Sequence, residues 1–227
     1  MSTVRKNSTT GPMGDDDVWA VIDLQRRRTA DLLAGLSGEQ WDHPSLCEGW
    51  TVRDVAAHLT LQQLGLGAAL LSALRHPGGL NHVILESARD RAHRPADRLV
   101  AGIRATVGFR RHNVGVTSLE TLTDILVHGQ DIAVPLGLEL EIPPEAAAVA
   151  AERVRSTGGT RTARVFRHLP LEGFRFVATD ASWAAGEGPE IRGPAAALLL
   201  LLTGRRAGLD RLAGDGVEML RHRLAPA

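Results

Sequence analysis

Asp124 and His128 stand four residues apart in ETLTDILVHGQDIAVPLG, the run from Glu120 to Gly137. In a helix that spacing puts both side chains on one face, a turn from each other. A third residue able to join them, His58, lies in EGWTVRDVAAHL, from Glu48 to Leu59. One histidine on an apolar helix face is more often a hydrogen-bonded core residue than a ligand. Two histidines and a carboxylate on facing helices supply three N/O ligands, which suits a borderline divalent ion such as zinc and leaves one coordination position open. An open position implies a catalytic metal. The competing expectation is a structural helical bundle in which His58, Asp124 and His128 never meet and are hydrogen-bonded separately.

Two helices must position these groups. Thr51 followed by Asp54 reads as a capping-box-like start: the threonine oxygen accepts from an early helical N–H, and the acid sits where the helix dipole favours negative charge. The helix therefore begins near Val52, with Val52, Val55, Ala56, Leu59 and Leu66 as its apolar stripe and His58 at the stripe's edge. It is expected to reach about Leu74, weakened by Gly65 and Gly67 and ended by His76-Pro77-Gly78-Gly79. The Asp124 helix is expected from Ser118 to Val134, where Pro135-Leu136-Gly137 stops it. Asp131, three residues after His128, either orients that histidine from behind or is a surface acid at the helix end. Cys47 is read as a small buried apolar residue, because no base or electropositive neighbour marks it as a nucleophile.

The run Trp41-Asp42-x-Pro44-Ser45-Leu46-Cys47-x-Gly49-Trp50-Thr51-Val52-Arg53-Asp54 with His58-Leu59, and then Asp124-x-x-x-His128-Gly129-x-Asp131, resembles the mycothiol-dependent maleylpyruvate isomerase family within the DinB-like metal-dependent bundle superfamily. The resemblance is specific over about residues 15 to 140 and looser beyond. It implies a metal triad of His58, Asp124 and His128, with aspartate here where the family pattern has glutamate. It also implies mycothiol as thiol cofactor, a loop from Gln40 to Trp50 covering one end of the bundle, and a sterol-carrier-like C-terminal domain closing one side of the pocket. The α+β fold class that follows is a DinB-like four-helix bundle with a small C-terminal α/β domain. Its divisions are a disordered tail at 1–14, the metal-binding bundle at 15–140 and the second domain at 141–227.

The remaining elements fit that plan. Asp15-Asp16-Asp17 can open a first helix, which Ser37-Gly38 interrupts. Residues 81 to 112 form an Arg-rich helical region divided at Pro95. His82 and His93 are eleven residues apart on it, roughly 16 Å along a helix and too far for one metal. With His112 they are read as solvated surface residues, as is the arginine cluster Arg104, Arg110 and Arg111, whose alternative role is to grip an anionic substrate. Ile142-Pro143-Pro144 opens a helix over Glu145 to Arg155. The period then changes to strands at Phe174–Thr179, Ala181–Ala185 and Glu190–Arg192, before a buried helix to Leu202 and a last one from about Val217 to Leu224.

Composition narrows the partners. In 227 residues, 26 basic and 26 acidic side chains balance, which argues against nucleic acid or an anionic membrane held by bulk charge. The single cysteine excludes an internal disulfide, and no apolar run is long enough to span a bilayer. The N-terminal stretch has no apolar core of the kind a signal peptide needs, so the expected location is cytoplasmic. Arginine almost without lysine suggests a GC-rich genome, which fits an actinobacterial source, where mycothiol is made. The expected function is a metal-dependent, thiol-using isomerase or transferase acting on an electrophilic small molecule, in a chain that is a monomer or a homodimer. No catalytic residue beyond the metal site is singled out. The rivals are a metal-containing binding module without turnover and a metal hydrolase.

Overall fold

The computed structural model describes residues 13–61, 80–110, 117–157 and 169–225. Its first helix, α1 (Asp15–Ala34), starts on the three aspartates and buries Val18, Trp19, Ile22, Ala30 and Leu33 along one side. A single-turn helix, α2 (Gly38–Trp41), is capped by Ser37, whose hydroxyl accepts from the Gln40 N–H. The His58 helix, α3, is Val52–Leu59, and the rest of its expected length lies outside the described residues. Pro95 divides the next region into α4 (Leu80–Ala92) and α5 (Ala96–Arg104), because proline has no N–H to continue the first helix and can start the second. The acid-histidine helix, α6, is Ser118–Ala133, followed by a 3-10 turn over Val134–Leu136 and a left-handed Gly137.

Helices α1, α3, α5 and α6 pack around Trp19, Ile22, Val52, Val55, Leu59, Leu99, Ile103, Leu122, Ile125 and Leu126, all buried. Helices α1 and α6 lie side by side and parallel. Ser118 Oγ donates to Asp15 at 2.6 Å where both begin, and a Cβ on Gly129 would stand 3.4 Å from Thr29 Oγ1 about three to four turns further on.

Helix α7 (Pro144–Ser156) has its proline in the first turn and an alanine-rich buried face. It packs on α6 and also on α8 (Ala195–Leu202), so the bundle core continues into the C-terminal part through Ala195 and Leu199. The sheet has the order β2-β1-β3, from β1 (Arg175–Ala178), β2 (Ala184–Ala185) and β3 (Glu190–Gly193). Phe176 pairs with Ala185 on the antiparallel side and with Ile191 on the parallel side. Phe176 and Ile191, with Leu198 and Leu201 of α8 and Val217 and Leu220 of α9 (Asp215–Leu224), form a second core. The α+β class holds, as a helical bundle followed by a small sheet with its helices. No helix among the described residues is long and apolar enough to cross a membrane.

Candidate metal centre

The start of α3 is fixed by the capping box: Thr51 Oγ1 accepts from the Asp54 N–H at 3.2 Å, and Asp54 accepts from the Thr51 N–H at 2.9 Å. Just before it, Trp50 N–H bonds to the Cys47 carbonyl at 3.0 Å, and Gly49 takes the left-handed φ of +77° that the third position of such a turn favours. The turn swings Trp50 over the His58 ring, edge to face, with centroids 5.8 Å apart. The facing helix α6 is capped in the same way by Thr117 and Glu120, and Glu120 also accepts from Arg153 Nε of α7 at 2.8 Å.

These two helix positions bring the three sequence-derived donors together. Asp124 Oδ1 lies 3.3 Å from His58 Nε2 and 3.2 Å from His128 Nε2, and the two imidazole rings meet edge to face at 4.8 Å. Around a tetrahedral ion with bonds of roughly 2.0–2.1 Å, neighbouring ligand atoms are about 3.3 Å apart, which matches the two distances from Asp124 to the histidine nitrogens. The side chains of His58, Asp124 and His128 are 18%, 31% and 14% exposed, so the cluster is shielded but reachable.

Behind the cluster is a second layer. His128 Nδ1 donates to Asp131 Oδ2 at 2.8 Å, which fixes the tautomer that leaves Nε2 facing Asp124. Asp131 is fully buried, so its surface-acid reading falls. It is held by Arg205, whose Nε and Nη2 donate to its two oxygens at 2.9 and 2.7 Å, a side-on bidentate pair. The Leu46 N–H closes the loop onto α6 by donating to the Asp131 carbonyl at 3.1 Å.

Burial by itself would raise the Asp124 carboxyl, but the charges and hydrogen bonds of His128 and His58 outweigh it and hold it well below the usual range. Burial would lower His128, and Asp124, Asp131 and Cys47 together push it well above its ordinary value instead. Asp131 is likewise carried against burial down to about 2 by its bonds from His128 and Arg205.

Cys47 departs from its apolar reading. It is half-buried and packs against the core, but its Sγ donates to Asp131 at 3.1 Å and lies 3.5 Å from Arg205 Nη2 and 3.7 Å from His128 Nδ1. It belongs to the layer behind His128. Arg205, which the sequence analysis did not single out, has one local signal. Gly204 ends α8 with φ +87°, its N–H on Leu201 and the Arg205 N–H on Leu200 at 2.8 Å, the paired bonds of a Schellman stop. That motif fixes where Arg205 leaves the helix. Its partner, 74 residues earlier in the chain, is set by tertiary packing.

His82 and His93 are exposed. Arg104 pairs with Asp31 at 2.8 Å and Arg110 with Asp16, both on the surface, while Arg111 and His112 lie outside the described residues. The C-terminal part meets the cluster from the Nδ1 side of His128, through Arg205.

Fold and site define a helical bundle carrying two histidines and a carboxylate between facing helices, braced by a small α/β unit. Residues 22–112 match the family model for the mycothiol maleylpyruvate isomerase N-terminal domain, and residues 141–223 match the model for the C-terminal domain of the same proteins. The chain belongs to the mycothiol-dependent maleylpyruvate isomerase family. Among solved structures it is similar to a mycothiol-dependent maleylpyruvate isomerase and to a histidine-to-alanine mutant of one. The TM-scores are 0.58 and 0.61, at 15% identity over 89% of this chain and 93% of that chain. No curated protein sequence matches. Asp124 and His128 fall between the two matched stretches, so geometry alone joins them to His58.

Proposed function

We propose that this chain is a metal-dependent enzyme that uses mycothiol to isomerise, or to transfer its sulfur onto, an electrophilic small molecule, with His58, Asp124 and His128 as ligands to zinc. The observation that carries the reading is the cluster of three N/O donors within 4.8 Å of one another, Asp124 at ligand spacing from both histidine nitrogens, with His128 Nδ1 already tied to Asp131. When bound, a divalent ion sets positive charge beside the thiol and lowers its pKa, so that the sulfur is a thiolate at neutral pH.

The chain's own groups prepare that chemistry. Asp124 offsets part of the ion's charge, and His58 and His128 present Nε2. Asp131 keeps the His128 proton on Nδ1, and Arg205 keeps Asp131 ionised. Trp50 packs against the His58 ring and restricts its rotation. In this reading residues 15–140 carry the centre, residues 141–227 brace it, and the protein works in the cytoplasm, where the thiol stays reduced. In isomerisation a carbon–sulfur bond to the substrate forms and breaks again, returning the thiol. In transfer the bond persists and thiol is consumed with product.

The test is elemental analysis of wild type and of His58→Ala, Asp124→Ala and His128→Ala, followed by assays with mycothiol and maleylpyruvate, the compound for which the family is named. About one ion per chain in wild type, lost in the variants, together with strictly thiol-dependent turnover, is the expected result. A wild type that stays metal-free after reconstitution overturns the reading.

A further inference from the structure

Among the described residues, the buried side-chain nitrogen and oxygen atoms without any hydrogen-bond partner are Arg26 Nε and Nη2, Thr29 Oγ1 and Gln25 Oε1. All belong to one stretch of α1, on side chains that are fully buried. Arg26 uses only Nη1, which donates to the Thr106 carbonyl at 2.8 Å and the Phe109 carbonyl at 3.3 Å and lies 3.4 Å from Asp23. A buried guanidinium with two unmade donors is costly, and a methionine would fill the same space without that cost.

The atoms left over form a pattern. Nε and Nη2 are the two parallel donors on one edge of the guanidinium, the edge with which arginine grips a carboxylate side-on. Arg205 uses this same edge on Asp131. Both hydrogen bonds of Arg26 to Thr106 and Phe109 come from the other side, so they hold the side chain while leaving the fork intact.

The guanidinium also lies at the level of the metal centre along the bundle. Long side chains on a helix lean toward its N-terminus, and Arg26 does so, with its guanidinium carbon 5.9 Å from the Trp19 ring and Nη1 beside Asp23. Along the parallel pair of helices, Asp15 sits beside Ser118 and Thr29 beside Gly129, so this lean carries the guanidinium to the level of Asp124. Burial pulls the Arg26 guanidinium down from its usual range, and Asp23 and then Asp124 work against that pull. A divalent ion would add two positive charges to a centre in which Asp124 is the only anionic ligand, and an incoming carboxylate would relieve the imbalance.

Resting on the function proposed above, we infer that Arg26 is the specificity-determining residue that binds a carboxylate of the electrophilic substrate, through Nε and Nη2, between α1 and the His58–Asp124–His128 cluster. Arg104 and Arg110 instead lie on the surface, paired with Asp31 and Asp16.

The test is calorimetric titration with maleate, without thiol, on zinc-loaded wild type and on His58→Ala, each with and without Arg26→Met. Dimethyl maleate, of similar shape and no charge, is the control. Maleate is expected to bind at least tenfold more weakly wherever Arg26 is replaced, and dimethyl maleate to bind alike with or without Arg26. Equal maleate affinity in folded Arg26→Met, or no maleate binding to wild type, overturns the inference. The His58→Ala arm separates this site from the metal: Arg26-dependent binding there survives even if metal and thiol chemistry fail, whereas intact thiol turnover with Arg26-independent binding overturns the anchor alone. Should Arg26→Met not fold, the Arg26 Nε–H resonance of wild type, assigned through its own side chain, decides. A saturable shift with maleate supports the anchor, and no shift overturns it.

Discussion

In the proposed centre, a proton and a metal ion compete for Nε2 of His128. The folded pKa of His128 is raised above 6.5, so in the metal-free protein its stabilising contribution is complete below pH 6.5 and is lost as pH rises through the folded value. Asp124 is lowered below 3.8, so its contribution is present above that pH and is lost as pH falls through its folded value. The metal-free cluster is therefore held by a proton between these limits, and metal uptake must expel it. Calorimetry of zinc binding at pH 7 in buffers of different ionisation enthalpy should show release of about one proton, and affinity should fall as pH is lowered. Zinc binding with no buffer dependence at pH 6 would rule out Nε2 of His128 as the donor. The donors themselves were legible from spacing: Asp124 and His128 share a face by their four-residue separation, and the Thr51–Asp54 cap set the depth of His58. Cys47 was read as apolar because its polar neighbours, Asp131 and Arg205, are distant in sequence. Arg26 was not singled out, because nothing local in the sequence marks it. Only the packing of α5's end over it shows that it is buried.

At the scale of elements, stops and starts do the positioning. Pro95, Pro144 and the Thr51 cap act locally, so the sequence alone placed their helices close to where they lie. The end of α8 shows what local signals cannot reach. Gly204 marks the stop, but the consequence is the aim of Arg205 at a carboxylate on another helix. Gly204→Ala puts a Cβ on a left-handed residue, which costs about 1–2 kcal/mol. Urea unfolding should register that loss, and zinc affinity should fall with it, because Arg205 would leave the helix at a different angle. Reduced stability with unchanged zinc affinity would mean that the α8 end does not position the layer behind His128.

For the whole molecule, the question is how the C-terminal part is coupled to a proposed centre whose donors all lie in the bundle. The coupling runs from Arg205 through Asp131 to His128 Nδ1. Arg205 and Asp131 are buried together, so removing either leaves an uncompensated charge, at a cost of about 3–5 kcal/mol. Removing both leaves none. In a double-mutant cycle, Arg205→Met and Asp131→Asn should each destabilise strongly and the double variant much less than their sum, with a coupling of about 2 kcal/mol or more. Zinc affinity should follow a different order. Asp131→Asn loosens His128 directly and should weaken binding about 10- to 100-fold, and Arg205→Met should weaken it less, because Asp131 remains on Nδ1. The double variant should match Asp131→Asn, since Arg205 acts on the metal only through Asp131. A double variant weaker in zinc than Asp131→Asn by the full Arg205→Met factor would show instead that the C-terminal part reaches the centre by a second route.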